Sequence, residues 1–491
     1  MTEAAPEALF RFDAGPGVGN GHAIRSTTLA HAMAEAGWHC GVATTQAALD
    51  AVPQIERIGT VHKLVSSSQV KPEEELHHID GAELLVIDHY SRGRDYETSQ
   101  REKFPRLVVF EDLPTRAHDC DVLIDPTPGR VRDCYETLVP AACTLCLGPE
   151  FAVLRPQFRE YRARALARRR EAQVERVLIA VGADDADNLT SQALAAVLEN
   201  FPNFWVDIVL GPTAAHLETI RNLVMQAGSR VNLSVNVENM AELMTKADIA
   251  IGAAGSSALE RCALALPSVA IVAADNQRDI AYALEEHGAA LSIKAHAQSG
   301  AIGSALKTLV GDTDGRREMG RAASALCDAR GEKRVMLRMV SPVSANDQRP
   351  VTLRLAEQTD ENCLLEWQSH PATRRYSRQP EVPSAEGHRE WLKRRLQDDD
   401  CLLTIIEHGG EEAGMLRLDR KSEGTEISIL TDPQRHRTGI ARAALALARR
   451  AVPGDNLVAE VLAGNTASHA LFVRAGFKEG PDGLYHMPRL H

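Results

Sequence analysis

Apolar runs alternate with helix-patterned stretches along roughly the first two thirds of the chain, which confines that part to a parallel α/β architecture. Leu84-Leu85-Val86-Ile87 and Leu107-Val108-Val109-Phe110 read as strands buried on both faces. A basic, helix-prone stretch runs from Phe158 to Arg176 and contains Arg168-Arg169-Arg170. A second series follows: Val177 to Val181, Trp205 to Leu210, Ile249 to Ile251 and Val269 to Val272. The pattern predicts two Rossmann-type halves with a ligand cleft between them. Near residue 341 the texture changes. Ser341-Pro-Val-Ser-Ala-Asn-Asp-Gln-Arg-Pro350 reads as a linker, and the strands after it look antiparallel (402–406, 414–418, 426–430). The expected division is 1–157, 158–340, a linker at 341–350, and an α+β domain at 351–491.

Composition narrows the partners. Aromatics are only 4% of residues, too few for a base-stacking platform, and a net charge of −12 opposes phosphate-backbone binding, so no nucleic-acid partner is expected. Nine cysteines without a repeating spacing suggest reduced thiols and a cytoplasmic protein. Cys143-Thr-Leu-Cys146 stands without a second pair and reads as two thiols of a buried strand, with a redox or zinc role the alternative. The N-terminal stretch lacks the basic and apolar regions of a signal peptide, and no apolar run suits a membrane span.

The stretch Gly-Pro-Gly-Val-Gly-Asn-Gly-His at 15–22 follows the first apolar run. It fits neither G-x-G-x-x-G nor G-x-x-x-x-G-K-[ST], so both phosphate-cradle readings fail. A helical pattern from Ala23 to Ala36, closed by Gly37, places His22 at a helix N-terminus. The dipole disfavours imidazolium there, which suits a general base; a capping histidine is the alternative. Asp88 and Glu111-Asp112 close two apolar runs, where open α/β sheets bind ligands and where N-caps also occur. In the second half, 252–257 is a small-residue turn between strand and helix, able to offer N–H groups to a phosphate. Glu260 lies one turn into that helix, and Asp275-Asn276-Gln277 follows the next strand, with amides suited to sugar hydroxyls or a uracil edge. A plain strand–turn–helix remains the alternative.

Several stretches in order carry a family resemblance. They are Arg11-Phe-Asp-Ala14, Gly19-Asn-Gly-His-Ala-Ile-Arg25, Asp88-His-Tyr90, 111–121, 147–156, 252–261 and Asp275-Asn-Gln277. Over residues 8 to about 335 the chain resembles the UDP-2,4-diacetamido-2,4,6-trideoxy-β-L-altropyranose hydrolase family of pseudaminic acid biosynthesis. The resemblance implies a GT-B-like fold and inverting, metal-free hydrolysis that releases UDP. It places His22, Tyr90 and Asn276 at the reaction centre. It implies UDP or substrate contacts for Asp13, Gly19, Gly21, Arg25, Gly255, Ser256, Glu260 and Gln277. The chain departs from the family at Val181-Gly182-Ala183-Asp184, where a Gly-Gly pair is usual.

Residues 351–491 resemble GNAT-superfamily acetyltransferases. The matching segments are Glu426-Ile-Ser-Ile-Leu430 with Asp432-Pro-Gln-Arg-His-Arg-Thr-Gly-Ile-Ala441, a strand at 457–461, and Asn465 through Phe477. The resemblance implies acetyl-CoA as co-substrate, bound by Arg437, Thr438, Gly439, Ile440, Ala441 and Asn465. Trp367, Arg374 and Gly387-His-Arg-Glu-Trp391 resemble the subgroup that acetylates the 4-amine of this sugar. The usual Arg/Gln-Gly-x-Gly turn reads His436-Arg437-Thr438-Gly439, and Phe472 stands where a general-acid tyrosine is usual. Tyr485 is a candidate substitute acid, with unaided departure of the thiolate the alternative, and His388 and Glu426 (through water) are candidate bases, with a surface or packing role the alternative for each. Fused, the two parts imply a bifunctional enzyme that N-acetylates a UDP-4-amino sugar and then hydrolyses the product. A GT-B glycosyltransferase, or a hydrolase carrying a degenerate acetyl-CoA-binding module, are the competing expectations.

Overall fold

A computed structural model describes residues 4–15, 19–64, 71–170, 173–294 and 300–490. Three sheets organise it. The first is parallel, in the order β3-β2-β1-β4-β5-β6-β7. Its strands are β1 (Glu7–Phe12), β2 (His39–Thr45), β3 (Thr60–Leu64), β4 (Leu84–Asp88), β5 (Arg106–Phe110), β6 (Val122–Asp125) and β7 (Thr144–Leu147). β4 and β6 are buried at every position, as runs covered by helices on both faces must be. The strand order reverses between β1 and β4, so a crevice opens at their C-terminal ends.

The second sheet is also parallel, in the order β10-β9-β8-β11-β12-β13. It contains β8 (Arg176–Ala180), β9 (Trp205–Leu210), β10 (Val231–Val235), β11 (Ile249–Ala253), β12 (Ser268–Val272) and β13 (Leu291–Lys294). Its order reverses between β8 and β11, and the 252–257 turn leaves the end of β11 at that point. The helix Gly331–Met339 then returns to the first sheet, burying Val335, Leu337 and Met339 in the same cluster as Val108, Val122 and Ile124.

The third sheet has the order β14-β15-β16-β17-β18-β19-β21-β20. Its strands are β14 (Val343–Ser344), β15 (Pro350–Leu355), β16 (Cys401–His408), β17 (Glu411–Lys421), β18 (Gly424–Thr431), β19 (Leu457–Glu460), β20 (Lys478–Glu479) and β21 (Leu484–Met487). All its pairings are antiparallel except β18 with β19. That parallel pair holds only at Thr425–Leu457 and Glu426–Val458, so the strands part beyond them. The stretch expected as a linker is in part ordered sheet: Val343 pairs with Val351 and Ser344 with Pro350. Proline and serine there mark an edge hairpin, where a missing N–H costs nothing.

The third unit is fastened to the first half. Trp38 is buried, and its indole N–H donates to the Arg450 carbonyl at 3.1 Å. The helix Gly21–Glu35 ends in a Schellman pattern, Trp38 N to Met33 O and Gly37 N to Ala34 O, with Gly37 at φ +101°. Gly454 donates its N–H to Ala36 O at 2.9 Å, and a Cβ on Gly37 would lie 2.2 Å from the Gly454 nitrogen. Arg338 also pairs with Glu407, and Arg159 with Asp399 at 2.9 Å. Cys143 and Cys146 are buried, as expected; the nearest thiol to Cys143 is Cys120, at 3.6 Å. Among the described residues no helix is long and apolar enough to cross a membrane.

Candidate active sites

The first site forms at the C-terminal edge of the first sheet. His22 is the second residue of the Gly21–Glu35 helix, behind a loop in which Gly15 and Gly19 bridge. Pro16, Gly17 and Val18 of the glycine-rich stretch lie outside the described residues. His22 Nδ1 is hydrogen-bonded to Oδ1 of Asp88, the last residue of β4. Asp88 is buried, which alone would raise its pKa. Arg25 and His22 outweigh this and hold the carboxyl far below the usual carboxylate range. An ionised Asp88 makes Nδ1 the donor, so in the neutral imidazole the lone pair is on Nε2. Among the described residues no group hydrogen-bonds to Nε2 and it is not sealed from solvent. The pair has the geometry of a carboxylate that orients an imidazole.

Arg25 donates to Asp88 at 2.6 Å (Nε) and 2.5 Å (Nη2), and its guanidinium lies 5.0 Å over the Phe110 ring. Ser26 adds a bond at 3.0 Å. Arg25, expected against substrate, is thus engaged in holding the dyad. Asp13, also expected at the substrate, is held by Arg11 at 2.8 Å and by His89 Nε2 at 3.0 Å. These partners drive its pKa down despite burial.

Tyr90 stands edge-on to His22, ring centroids 4.6 Å apart. Its hydroxyl donates to Asp112 Oδ2 at 2.9 Å and accepts from Asn276 Nδ2 at 3.3 Å. That second bond crosses from the first half to the second, so His22, Tyr90 and Asn276 meet in one place. Burial, followed by the Asp112 carboxylate, pushes the Tyr90 pKa up, so the phenol stays neutral. Asp112 Oδ1 is buried without a partner among the described residues, and burial raises its pKa. Residues 111–121 are anchored by Glu111, which accepts from Asp112 N at 2.9 Å and Leu113 N at 3.0 Å. Glu111 also accepts from Arg116 at 2.6 Å and bonds the fully buried His118.

The second half faces this edge. A Cβ on Gly21 would sit 3.5 Å from Ser256 Oγ, so the glycine turn approaches the His22 helix start directly. Gln277 Oε1 accepts from Ala273 N at 3.0 Å, with its amide next to Gly255. Glu260 pairs with Arg155 at 3.2 Å; burial raises its pKa. Arg261 lies behind the turn, 2% exposed, donating to Ala253 O at 2.8 Å and Ser257 Oγ at 3.3 Å. Among the described residues no carboxylate pairs with it, and burial lowers its pKa to about 10, leaving it cationic. An unpaired buried guanidinium is costly unless an anion comes near it. Sequence reasoning quoted Arg261 only as the end of a matching segment. Its signal was a charge at a helical position that should face the core.

The second site lies in the third sheet. Where β18 and β19 part, a V-shaped opening faces the turn before the helix Ile440–Ala451. Gly439 is left-handed at φ +89°, and Arg437 takes φ +64° despite its side chain. Arg437 thus holds a left-handed backbone that glycine adopts without strain, at a cost of about 1–2 kcal/mol. The N–H groups of Ile440 and Ala441 begin the helix and lack intrahelical acceptors, which fits a phosphate group. Asn346 braces this turn, its N–H donating to Thr438 O at 2.9 Å and its amide to Arg437 O at 3.3 Å. Asn465 caps the helix Thr466–Arg474, accepting from Ser468 N at 3.2 Å. Phe472 is buried between Phe477 and Tyr485, and the Tyr485 hydroxyl bonds His469 Nδ1 at 2.7 Å. His388 is buried against Trp391, with Nε2 unpartnered among the described residues. Glu426 is paired with Arg378 at 2.6 Å and with Lys421.

Comparison with known proteins agrees with this layout. Residues 351–478 match the acetyltransferase (GNAT) domain family, and 176–335 match the glycosyltransferase family 28 C-terminal domain. The chain is 26% identical over 284 residues to the UDP-2,4-diacetamido-2,4,6-trideoxy-beta-L-altropyranose hydrolase of Campylobacter jejuni, covering 57% of this chain and 97% of that protein. It is 24% identical over 191 residues to the spore coat polysaccharide biosynthesis protein SpsG of Bacillus subtilis, covering 38% and 55%. An uncharacterized protein of Methanocaldococcus jannaschii is 24% identical over 276 residues. The chain spans about half the length of that archaeal protein, 54%. Among solved structures, MurG of Acinetobacter baumannii aligns with a TM-score of 0.49 at 15% identity, covering 67% of this chain and 98% of that one. RimL in complex with coenzyme A aligns with 0.26 at 19% identity, covering 28% and 94%. Domain by domain, residues 176–335 are similar to glycosyltransferase family 28 C-terminal domains and residues 351–478 to GNAT acetyltransferase domains.

Proposed function

We propose that the chain is a bifunctional nucleotide-sugar enzyme. The paired α/β halves hydrolyse UDP-2,4-diacetamido-2,4,6-trideoxy-β-L-altropyranose to UDP and free sugar. The GNAT domain N-acetylates the 4-amino precursor with acetyl-CoA. The observation that carries the reading is the His22–Asp88 dyad, set opposite Asn276 and the glycine turn of the other half.

In the hydrolytic step His22 Nε2 takes a proton from water, and the resulting oxygen nucleophile attacks the anomeric carbon. The bond to the diphosphate oxygen breaks, and UDP leaves with the electron pair. Asp88 keeps the ring oriented and stabilises the imidazolium that forms. The N–H groups of the 252–257 turn, with Arg261 behind them, meet the departing charge. Tyr90, its proton committed to Asp112, presents oxygen lone pairs towards the sugar and is held there by Asn276. Gln277 and Glu260 border the nucleotide. In the acetyl step the 4-amine, neutral after giving its ammonium proton to solvent, attacks the thioester carbonyl; the C–S bond breaks, CoA leaves with the electron pair, and the second proton shed by nitrogen balances the thiolate. A phenyl ring at 472 cannot protonate the thiolate, which favours a second reading, a module that binds acetyl-CoA without transfer. CoA release from acetyl-CoA and the 4-amino nucleotide sugar separates the two: stoichiometric release supports transfer, and binding without release supports the module. Transfer of the sugar to an acceptor other than water would instead make the first site a glycosyltransferase.

A further inference from the structure

A charged cavity of about 320 Å³ lies beside the GNAT opening and shares with the second site only Glu426 and its partners Arg378 and Lys421. Arg378, Arg395, Arg417, Arg420 and Lys421 line it, with Asp398, Asp400, Asp419 and Glu426. It sits at the start of β18, where β18 and β19 are still joined, and so at the opposite end of that strand from the 436–441 turn. A co-substrate entering the V from the turn would end its acyl group near this junction, so this side is left for the acceptor.

The two strands each offer one carboxylate there, Glu426 from β18 and Glu460 from β19. One guanidinium nitrogen of Arg378 bridges both, at 2.6 Å to Glu426 and in contact with Glu460. A cation held across the acceptor-side junction occupies the place an ammonium group needs. Arg378 comes from the segment before the helix Ala385–Gln397, which Arg374 organises by donating to Gln379 O at 3.0 Å and Glu381 O at 3.3 Å. Its side chain is 56% exposed, so it can swing away at little cost. Arg420 is exposed and makes no ion pair among the described residues, which leaves a second cation free at the rim. Burial alone would raise the Glu426 pKa, but Lys421 and Arg378 outweigh it and keep the carboxylate ionised, ready for an exchange of cations.

We propose that this cavity is the acceptor subsite and that it reads both charges of an amino sugar nucleotide: the acceptor's ammonium displaces Arg378 from Glu426 and Glu460, and Arg378, joined by Arg420, turns to the acceptor's diphosphate. The exchange trades one set of ion pairs for another, so neither charge is left unpaired. It rests on the acetyltransferase reading above.

The test measures CoA release at saturating acetyl-CoA with two acceptors, the UDP-linked 4-amino sugar and the same amino sugar without the nucleotide. Two charge-assisted contacts to the diphosphate should favour the nucleotide form by about 100-fold in kcat/KM. In Arg378→Ala/Arg420→Ala that preference should shrink to within about tenfold, with acetyl-CoA affinity and hydrolysis of the diacetamido substrate unchanged. Glu460→Gln should raise KM for both acceptors alike. Equal losses for both acceptors in the arginine variant would overturn the subsite. No CoA release from either acceptor, with acetyl-CoA still bound, would remove the acetyltransferase reading and the subsite together.

Discussion

His22 Nδ1 is held by Asp88 while Nε2 has no hydrogen-bond partner among the described residues, and this sets what single substitutions should do. Asp88→Asn removes the charge that orients the ring, and His22→Gln removes the base. Each should lower kcat for UDP release by about 10²–10⁴-fold with little change in KM. Tyr90→Phe loses one hydroxyl between Asp112 and Asn276 and should cost only about tenfold. Steady-state UDP release checks all three; equal losses for Tyr90→Phe and His22→Gln would move the base to Tyr90. His118 gives a separate reading of the loop that carries Asp112. Burial would lower its pKa, but Glu111 and Glu97 outweigh that and raise it to about 9. The folded pKa lies above the free-chain value of about 6.5. Its stabilisation is therefore complete below about pH 6.5 and lost as pH rises through about 9, by at most ~1.4 kcal/mol per unit. Urea midpoints should fall over that window in the wild type and stay flatter in His118→Gln. At this scale sequence is informative about residue type and silent about partners. His22, Tyr90 and Asn276 were legible as motif members. Asp88 was legible only as a strand-end carboxylate, because its partner lies 66 residues away. For Arg25 and Asp13 the structure adds partners that no local pattern announces, Asp88 for the first and Arg11 and His89 for the second.

At the level of elements, both proposed sites rest on one device, a turn that opens a helix beside a strand end and leaves its first N–H groups available to an anion. The turn before Ile440 depends on Gly439, where a Cβ would lie 2.5 Å from Asn346 Oδ1 on a left-handed backbone. Gly439→Ala should weaken acetyl-CoA binding at least about tenfold and leave UDP release intact, since the strain is local and costs roughly 1–2 kcal/mol. Calorimetric titration with acetyl-CoA beside a UDP-release assay checks both halves of that statement. Strand runs such as 84–88 and 249–253 were legible because continuous apolar β-formers have few other uses. The 341–350 stretch was not: two-residue edge pairing leaves no periodicity to read.

Across the whole molecule, the third sheet is packed on the first half rather than tethered to it. Leu353, Ile406 and Leu445 share one apolar cluster with Trp38 and Val335, each fully buried side chain contributing about 1.5–3 kcal/mol. Gly37→Ala forces a Cβ against the Gly454 backbone at positive φ and should lower thermal stability by several degrees. Neither glycine announces this contact, since close approach of two backbones leaves no local pattern. The central claim, two reactions in order on one chain, is tested most directly by mass spectrometry of the products. The purified protein is given the UDP-linked 4-amino sugar with and without acetyl-CoA, and CoA, UDP and free sugar are recorded. The expected result is free diacetamido sugar and UDP only when acetyl-CoA is present, with CoA released in equal amount. UDP and free amino sugar formed equally well without acetyl-CoA, or no CoA release while pre-acetylated substrate is still cleaved, would contradict it.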